Sequence, residues 1–209
     1  MTKAKTPTLE QFRAYQAAYD YFNAALFGGE LKPCLLNFRG RHKRNMGLFW
    51  PKRWGRLDGS VTHEIALNPD VLLRPLVQTM ATLVHEMCHQ WQQDHGRPSR
   101  AGYHDKEWGR KMEVVGLTPT NTGEPGGKRT GQQMTHHIEP DGPFQKAFEA
   151  MPAAVALPWL SGGLPDAPKP PSKNKNKVKY VCSCGTPVWG KAGLTVLCGE
   201  CEMAFAQLG

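Results

Sequence analysis

No stretch of this chain approaches the run of about 18 apolar residues that a membrane-spanning helix needs, and its start, MTKAKTPTLEQF, lacks the basic-then-apolar order of a secretory leader. The expectation is a cytoplasmic protein with no membrane partner. Cysteine is scarce over most of the length. Cys34 and Cys88 stand singly in apolar surroundings and the others crowd near the C-terminus, which argues against a disulfide framework. Acidic residues are outnumbered, 18 against 26 Lys and Arg, and the formal charge of +8 leans toward polyanionic partners without selecting one. No sequence unit repeats. What is present is 209 residues at 40% hydrophobic content, enough for one sizeable domain and a small appendage.

Residues 8–26 read as a helix, with Thr8 and Gln11 as a capping box, Phe12, Tyr15, Tyr19, Phe22 and Leu26 as an apolar stripe, and Gly28-Gly29 as its stop. PCLLNF (33–38), MGLFW (46–50) and VTHEIAL (61–67) read as short strands in a small antiparallel meander. From Pro75 a second helix carries Leu76, Met80, Leu83, Val84, Met87, Cys88 and Trp91 on a broad apolar face, so it is expected at the centre. Residues 105–115 form a third helix that Gly116 ends. The Gly-, Pro- and Thr-rich stretch 118–143 carries little structural signal, and 158–178, ending PKPPSKNKNKV, reads as a basic linker.

The long helix contains HEMCHQWQQDH, residues 85–95. Residues four apart on a helix lie one above the other, so His85 and His89 can offer imidazoles to one ion while Glu86 projects beside them toward a bound water. Zinc suits this set, because it binds neutral imidazole and acidifies water, and a carboxylate can then take the proton. The plainer alternative is two core histidines and a surface glutamate. The spacing to His95 matches the longer pattern HExxHxxGxxH, but that pattern needs a glycine at position 92 to turn the chain, and Gln92 stands there. On a continuing helix His95 sits about 120° around the axis from His89 and nearly ~9 Å further along, out of reach of the same ion. The segment AGYHDKEW offers His104, Asp105 and Glu107 instead.

Near the C-terminus, YVCSCGTPVWGKAGLTVLCGEC places Cys182 and Cys184 as one close pair and Cys198 and Cys201 as another. Two such pairs separated by strand and turn residues suit a four-thiolate structural zinc site, closed to catalysis. So short a segment has little else to hold it folded.

Taken together, YDYFNAALFGGEL, LNPD followed by TLVHEMCHQWQ, GYHDKEW, the VGL at 115–117 and the C-terminal cysteine cluster resemble the SprT-like zinc metalloproteases, in a bacterial-type layout, over most of the chain. The resemblance implies a zincin-like protease domain followed by a zinc ribbon that takes part in DNA contact. It also implies a third zinc ligand in a Gly-His-Gly-like segment, which maps onto His104, with Tyr103 and Asp105 standing where the family has glycines; Glu107 is the runner-up. The implied activity is proteolysis of proteins bound or crosslinked to DNA.

Residues 38–56, FRGRHKRNMGLFWPKRWGR, interleave Arg39, Arg41, Lys43, Arg44, Lys52 and Arg53 with Trp50 and Trp54. Cations for phosphates and rings for unpaired bases suit single-stranded or partly unpaired DNA, while the plainer reading is a solvated hairpin with aromatics in the core. His63 and Glu64 read as sheet surface. For His136 and His137, stabilising an oxyanion or gating a cleft is the lesser reading, and a Met-turn role for Met134 is lesser still.

The expectation as a whole is an α+β chain: a zincin-like domain over 1–157 with helices and a small antiparallel sheet, a linker over 158–178, and a small β zinc ribbon over 179–209. It would carry one catalytic and one structural Zn2+, use Glu86 as general base, and work near the nucleoid on protein substrates held on DNA. Two rivals stand beside it: a general cytosolic zinc peptidase indifferent to DNA, and a non-catalytic zinc module that binds nucleic acid.

Overall fold

The computed structural model describes residues 6–40, 45–161 and 177–208. The chain is mixed α+β and divides into two compact units, Met1–Ala167 and Pro168–Gly209. No helix among the described residues is long and apolar enough to cross a membrane. Arg41, Lys43 and Arg44, and most of the expected linker, lie outside the described residues.

In the first unit α1 spans Pro7–Phe27. Its N-cap is Thr6, whose side chain makes no capping bond, and Pro7 opens the first turn. The capping box expected at Thr8 and Gln11 is therefore absent. Proline supplies the helical φ and has no N–H to satisfy, so the start shifts to it. Gln11 faces inward and clasps a distant backbone, its Nε2 donating to the Trp159 carbonyl at 3.0 Å and its Oε1 accepting from the Trp159 N–H at 2.9 Å. Tyr15, Tyr19 and Phe22 are fully buried, whereas Phe12 is 37% exposed, so the apolar stripe is narrower at its start than its periodicity implied. Gly28, at φ 63°, ends the helix in the left-handed conformation that glycine tolerates.

The sheet strands are β1 (Leu35–Phe38), β2 (Gly47–Gly55) and β3 (Val61–Leu67), in the order β1-β3-β2. The expected antiparallel meander is only half right. β2 and β3 form an antiparallel hairpin, but β1 runs parallel to β3, with Leu35 opposite Glu64. The last strand takes the centre, where both of its edges are paired, and it is also well buried, with Ile65, Ala66 and Leu67 each at most 1% exposed. β2 is left as an edge. Its register shifts between Trp50 and Trp54, and Lys52 there has φ 47°. Pro51, which has no N–H for the ladder, sits inside this irregularity, where strand prolines are tolerated.

α2 (Leu76–His95) packs against α1, β2, β3, α3 (Lys106–Val114) and α4 (Pro143–Glu149). Its Met80, Leu83, Val84 and Met87 join Tyr15, Tyr19 and Phe22 of α1, Trp108 and Met112 of α3 and Phe144 of α4 in one core. Across the stretch that carried little sequence signal, β4 (Leu117–Thr120) and β5 (Thr135–Ile138) pair antiparallel, and α4 follows. These strands are too short for periodicity to show, and β4 contains Pro119.

The second unit holds β6 (Val178–Val181), β7 (Pro187–Gly190) and β8 (Ala206–Leu208) in the order β7-β6-β8. Among its described residues Tyr180, Cys182 and Cys198 are buried, a core too small to account for a stable fold without a cross-link.

Candidate metal centres

α2 continues without a break through Gln92 to His95. His85 and His89 therefore lie on successive turns of one face, and His95 ends exposed, its ring stacked 6.4 Å from that of Trp91. Gln92, standing where the longer motif needs a turn-forming glycine, has another use. Its Nε2 lies 2.9 Å from Asp105 Oδ1, 3.1 Å from Glu107 Oε2 and 3.3 Å from the Arg97 carbonyl, tying the end of α2 to the start of α3. That tie holds the segment bearing His104 against the two helical histidines. Asp105 is committed to capping α3, accepting from the N–H groups of Glu107 and Trp108 at 3.0 Å each. Glu107 is also committed, accepting from the Arg97 N–H at 2.6 Å. Of the three candidates in AGYHDKEW, His104 is the one brought to the pair.

One ring nitrogen from each of His85, His89 and His104 can be chosen so that all lie within 4.8 Å of one another. The backbone of His104 is locked to Gly131 by a two-way bridge, N–H to carbonyl at 2.8 Å and the return at 3.0 Å, and its Nδ1–H donates to the same carbonyl at 3.1 Å. Nε2 of His104 is thereby left free. Trp108 forms the floor, its ring centre 4.9, 5.0 and 4.4 Å from those of His85, His89 and His104. Burial holds His85 well below the usual imidazole range, His89 down to about 3, and His104 below its ordinary value. Rings kept neutral in this way are in the form that binds a cation. The donor set thus fits a divalent metal.

Glu86 is 6% exposed, and burial pushes its carboxyl up to about 8 against a hydrogen bond from the Phe49 backbone. Gly47, at the head of β2, leaves it room: a Cβ there would meet Glu86 Oε1 at 2.7 Å. His136 on β5 comes within 3.2 Å of His85, Nδ1 to Nδ1. Burial, aided by the Arg74 guanidinium, holds His136 down to about 4. Arg74 itself donates to the Val71 carbonyl at 3.0 Å and to Thr82 Oγ1 at 3.2 Å. Met134 packs at the edge of the core.

His63 and Glu64 are not sheet surface, being 9% and 1% exposed. His63 Nδ1 accepts from the Lys52 N–H at 2.8 Å and its Nε2 donates to Asp94 at 3.0 Å, which joins the β2 irregularity to α2. Glu64 Oε2 accepts from Arg53 Nε at 3.1 Å and from the Trp54 indole at 2.6 Å, and Arg39 lies 3.9 Å from its other oxygen. The two point to opposite faces of β3: His63 lies toward α2 through Asp94, and Glu64 lies under the long side chains of Arg53 and Trp54 on the other face, coverings that strand alternation alone does not reveal. Arg53 lies 3.9 Å over the Trp50 ring, so one face of that indole is occupied; Trp54 is 41% exposed and Lys52 is exposed.

In the second unit Cys182, Cys184, Cys198 and Cys201 bring their sulfurs within 4.8 Å of one another. Each pair rides on a tight turn. Gly185 N–H donates to the Cys182 carbonyl at 2.8 Å, and Glu202 N–H to that of Cys198 at 2.9 Å. Donation from the Cys184 backbone, with help from Cys201, holds the Cys182 thiol down to about 6. Four converging sulfurs with one already disposed to ionise fit a metal as well.

The profile of the SprT-like family, a metalloprotease-like family, matches residues 15–127. That is more than half of the chain and takes in all three histidines and Glu86, and the chain belongs to this family. An uncharacterized protein in the mucB 3′ region of Salmonella typhimurium is 45% identical over 60 residues, which are 28% of this chain and 80% of that protein. No solved structure matches.

Sequence reasoning placed Trp108 only in the core and passed over Gly47, Gln92 and Gly131 as supports. Nothing local marks Gly47, whose role exists only once β2 lies beside α2.

Proposed function

We propose that the chain is a zinc-dependent endopeptidase acting on proteins bound or crosslinked to DNA and stimulated by DNA. The first unit would be a zincin-like domain with its zinc on His85, His89 and His104, and the second a ribbon closed by a structural zinc on the four cysteines. The observation that carries this reading is the convergence of three neutral imidazoles within 4.8 Å, next to a buried carboxylate on the same turn of α2. A structural site has no use for that carboxylate.

Zinc held by His85, His89 and His104 would supply Lewis acidity, polarising a carbonyl and lowering the pKa of a water to about 7. Glu86 takes the proton that the attacking water gives up and returns it to the leaving amine. Phe49 N–H orients the carboxylate, and Trp108 fixes the planes of the histidines and excludes water beneath them. β2, an edge strand beside Glu86, has unpaired backbone groups suited to an extended peptide. Specificity for the cleaved sequence would be low, because tethering on DNA supplies the local concentration.

The DNA contacts in this reading are Arg39, Lys52, Arg53, Trp50 and Trp54, together with Arg41, Lys43 and Arg44. One observation favours the rival peptidase that ignores DNA: Glu64 already engages Arg53 and Trp54, and Arg53 covers Trp50. The test is cleavage of a DNA-binding protein with and without single-stranded DNA at two salt concentrations. Cleavage that requires DNA and weakens with salt is expected. Cleavage of a free unfolded protein at the same rate without DNA, insensitive to salt, would hand the case to the rival.

A further inference from the structure

A histidine that binds a metal uses one nitrogen as the donor and carries its proton on the other, and that N–H ordinarily finds a carboxylate, a backbone carbonyl or a water. His104 follows the rule through the Gly131 carbonyl. His85 does not. The hydrogen-bond partner of its ring among the described residues is another imidazole, with His136 Nδ1 at 3.2 Å from His85 Nδ1.

Two Nδ1 atoms facing each other can bond only when one is protonated and the other is not. If His136 is the donor, His85 keeps its proton on Nε2, and the nitrogen left for the ion is closed. If His85 is the donor, its Nε2 lone pair is open and His136 accepts through Nδ1 with its own proton on Nε2. Metal binding is compatible with the second arrangement alone. His136 stands opposite Pro119 in the antiparallel β4–β5 pair, so the acceptor is carried on a strand rather than on a free loop.

We propose that His136 is a positioning residue for the metal centre, accepting a hydrogen bond from Nδ1–H of His85 and thereby setting the tautomer and orientation in which His85 Nε2 binds the ion. This rests on the metal reading of the histidine site, and the experiment separates the two. The full chain is titrated with Co2+ against a competing chelator. Both sites give visible d–d bands, so the histidine site is read as the part of that absorption that His85→Phe removes, while sulfur-to-metal charge transfer reports the cysteine cluster in the same sample and serves as a folding control. Four proteins are compared: wild type, His85→Phe, His136→Phe and His136→Asn. Asn Oδ1 occupies nearly the place of His Nδ1 and can accept the bond; Phe keeps the ring and cannot.

The expected result is affinity at the histidine site about 10- to 100-fold weaker for His136→Phe, restored toward wild type in His136→Asn. Unchanged affinity in His136→Phe overturns the proposal, and so does an equal loss in Phe and Asn, since that would mark simple packing. Failure of wild type to take up any metal that His85→Phe abolishes would sink the metal reading itself, and this inference with it.

Discussion

Gly47→Ala tests how tightly the structure sets the Glu86 carboxylate. Gly47 does not need positive φ, so alanine brings no backbone penalty and the effect comes from one methyl group. That methyl would lie 2.7 Å from Glu86 Oε1, 2.9 Å from Glu86 Cγ and 2.9 Å from Thr82 Cγ2. To reach ordinary contact at 3.4 Å the oxygen must retreat by about 0.7 Å. Thr82 has little room to yield, because its hydroxyl is held by the Gln78 carbonyl at 3.0 Å and by Arg74 at 3.2 Å. Overpacking of this kind costs ~1–3 kcal/mol, and each kcal/mol lowers the melting temperature of a domain this size by about 2–4 °C. A misplacement approaching ~1 Å at a reacting group costs on the order of 10²-fold in turnover. The assay is kcat and KM on a protein substrate, with metal content and melting temperature measured on the same preparation. We expect kcat to fall while metal is retained. Activity within about threefold of wild type at unchanged stability would refute the claim that β2 positions Glu86.

His104→Ala should empty the histidine site, whereas His95→Ala, at an exposed helix end, should keep its metal; metal analysis showing the reverse pattern would overturn the choice of third ligand. After metal removal, Cys182 and the other three cysteines of the cluster should be alkylated, while Cys34, pushed up to about 12 by burial, and Cys88, also pushed up by burial, stay unlabelled in the folded first unit. Reloading the metal should protect the cluster, and labelling of Cys88 at the rate of Cys182 would contradict the burial argument.

Much of this site is written in local spacing. The four-residue step between His85 and His89 needs only a helix to become a geometry, and the periodic apolar face from Leu76 to Trp91 supplies the helix. The failure of position 92 to turn was equally local, since glutamine in a good helical pattern continues it. The paired cysteines are legible for the same reason. Long-range pairing is another matter. The parallel alignment of β1 with β3 depends on which strand wins the central position, and burial of all three decides that together. His63 and Glu64 look like surface on an alternating strand until α2 covers the one and the β2 side chains cover the other. His136 lies 51 positions from His85 in a segment with no periodic signal, so its approach is visible only in three dimensions.

The measurement that bears most directly on the central claim is cleavage of a protein substrate by wild type and Glu86→Gln, with the metal content of both determined. Glutamine keeps the size and hydrogen bonding of the side chain but cannot take a proton from water. The account predicts that both proteins hold metal at the histidines and that only the wild type cuts. Equal cleavage by Glu86→Gln would contradict it, because the carboxylate would then have no part in the chemistry.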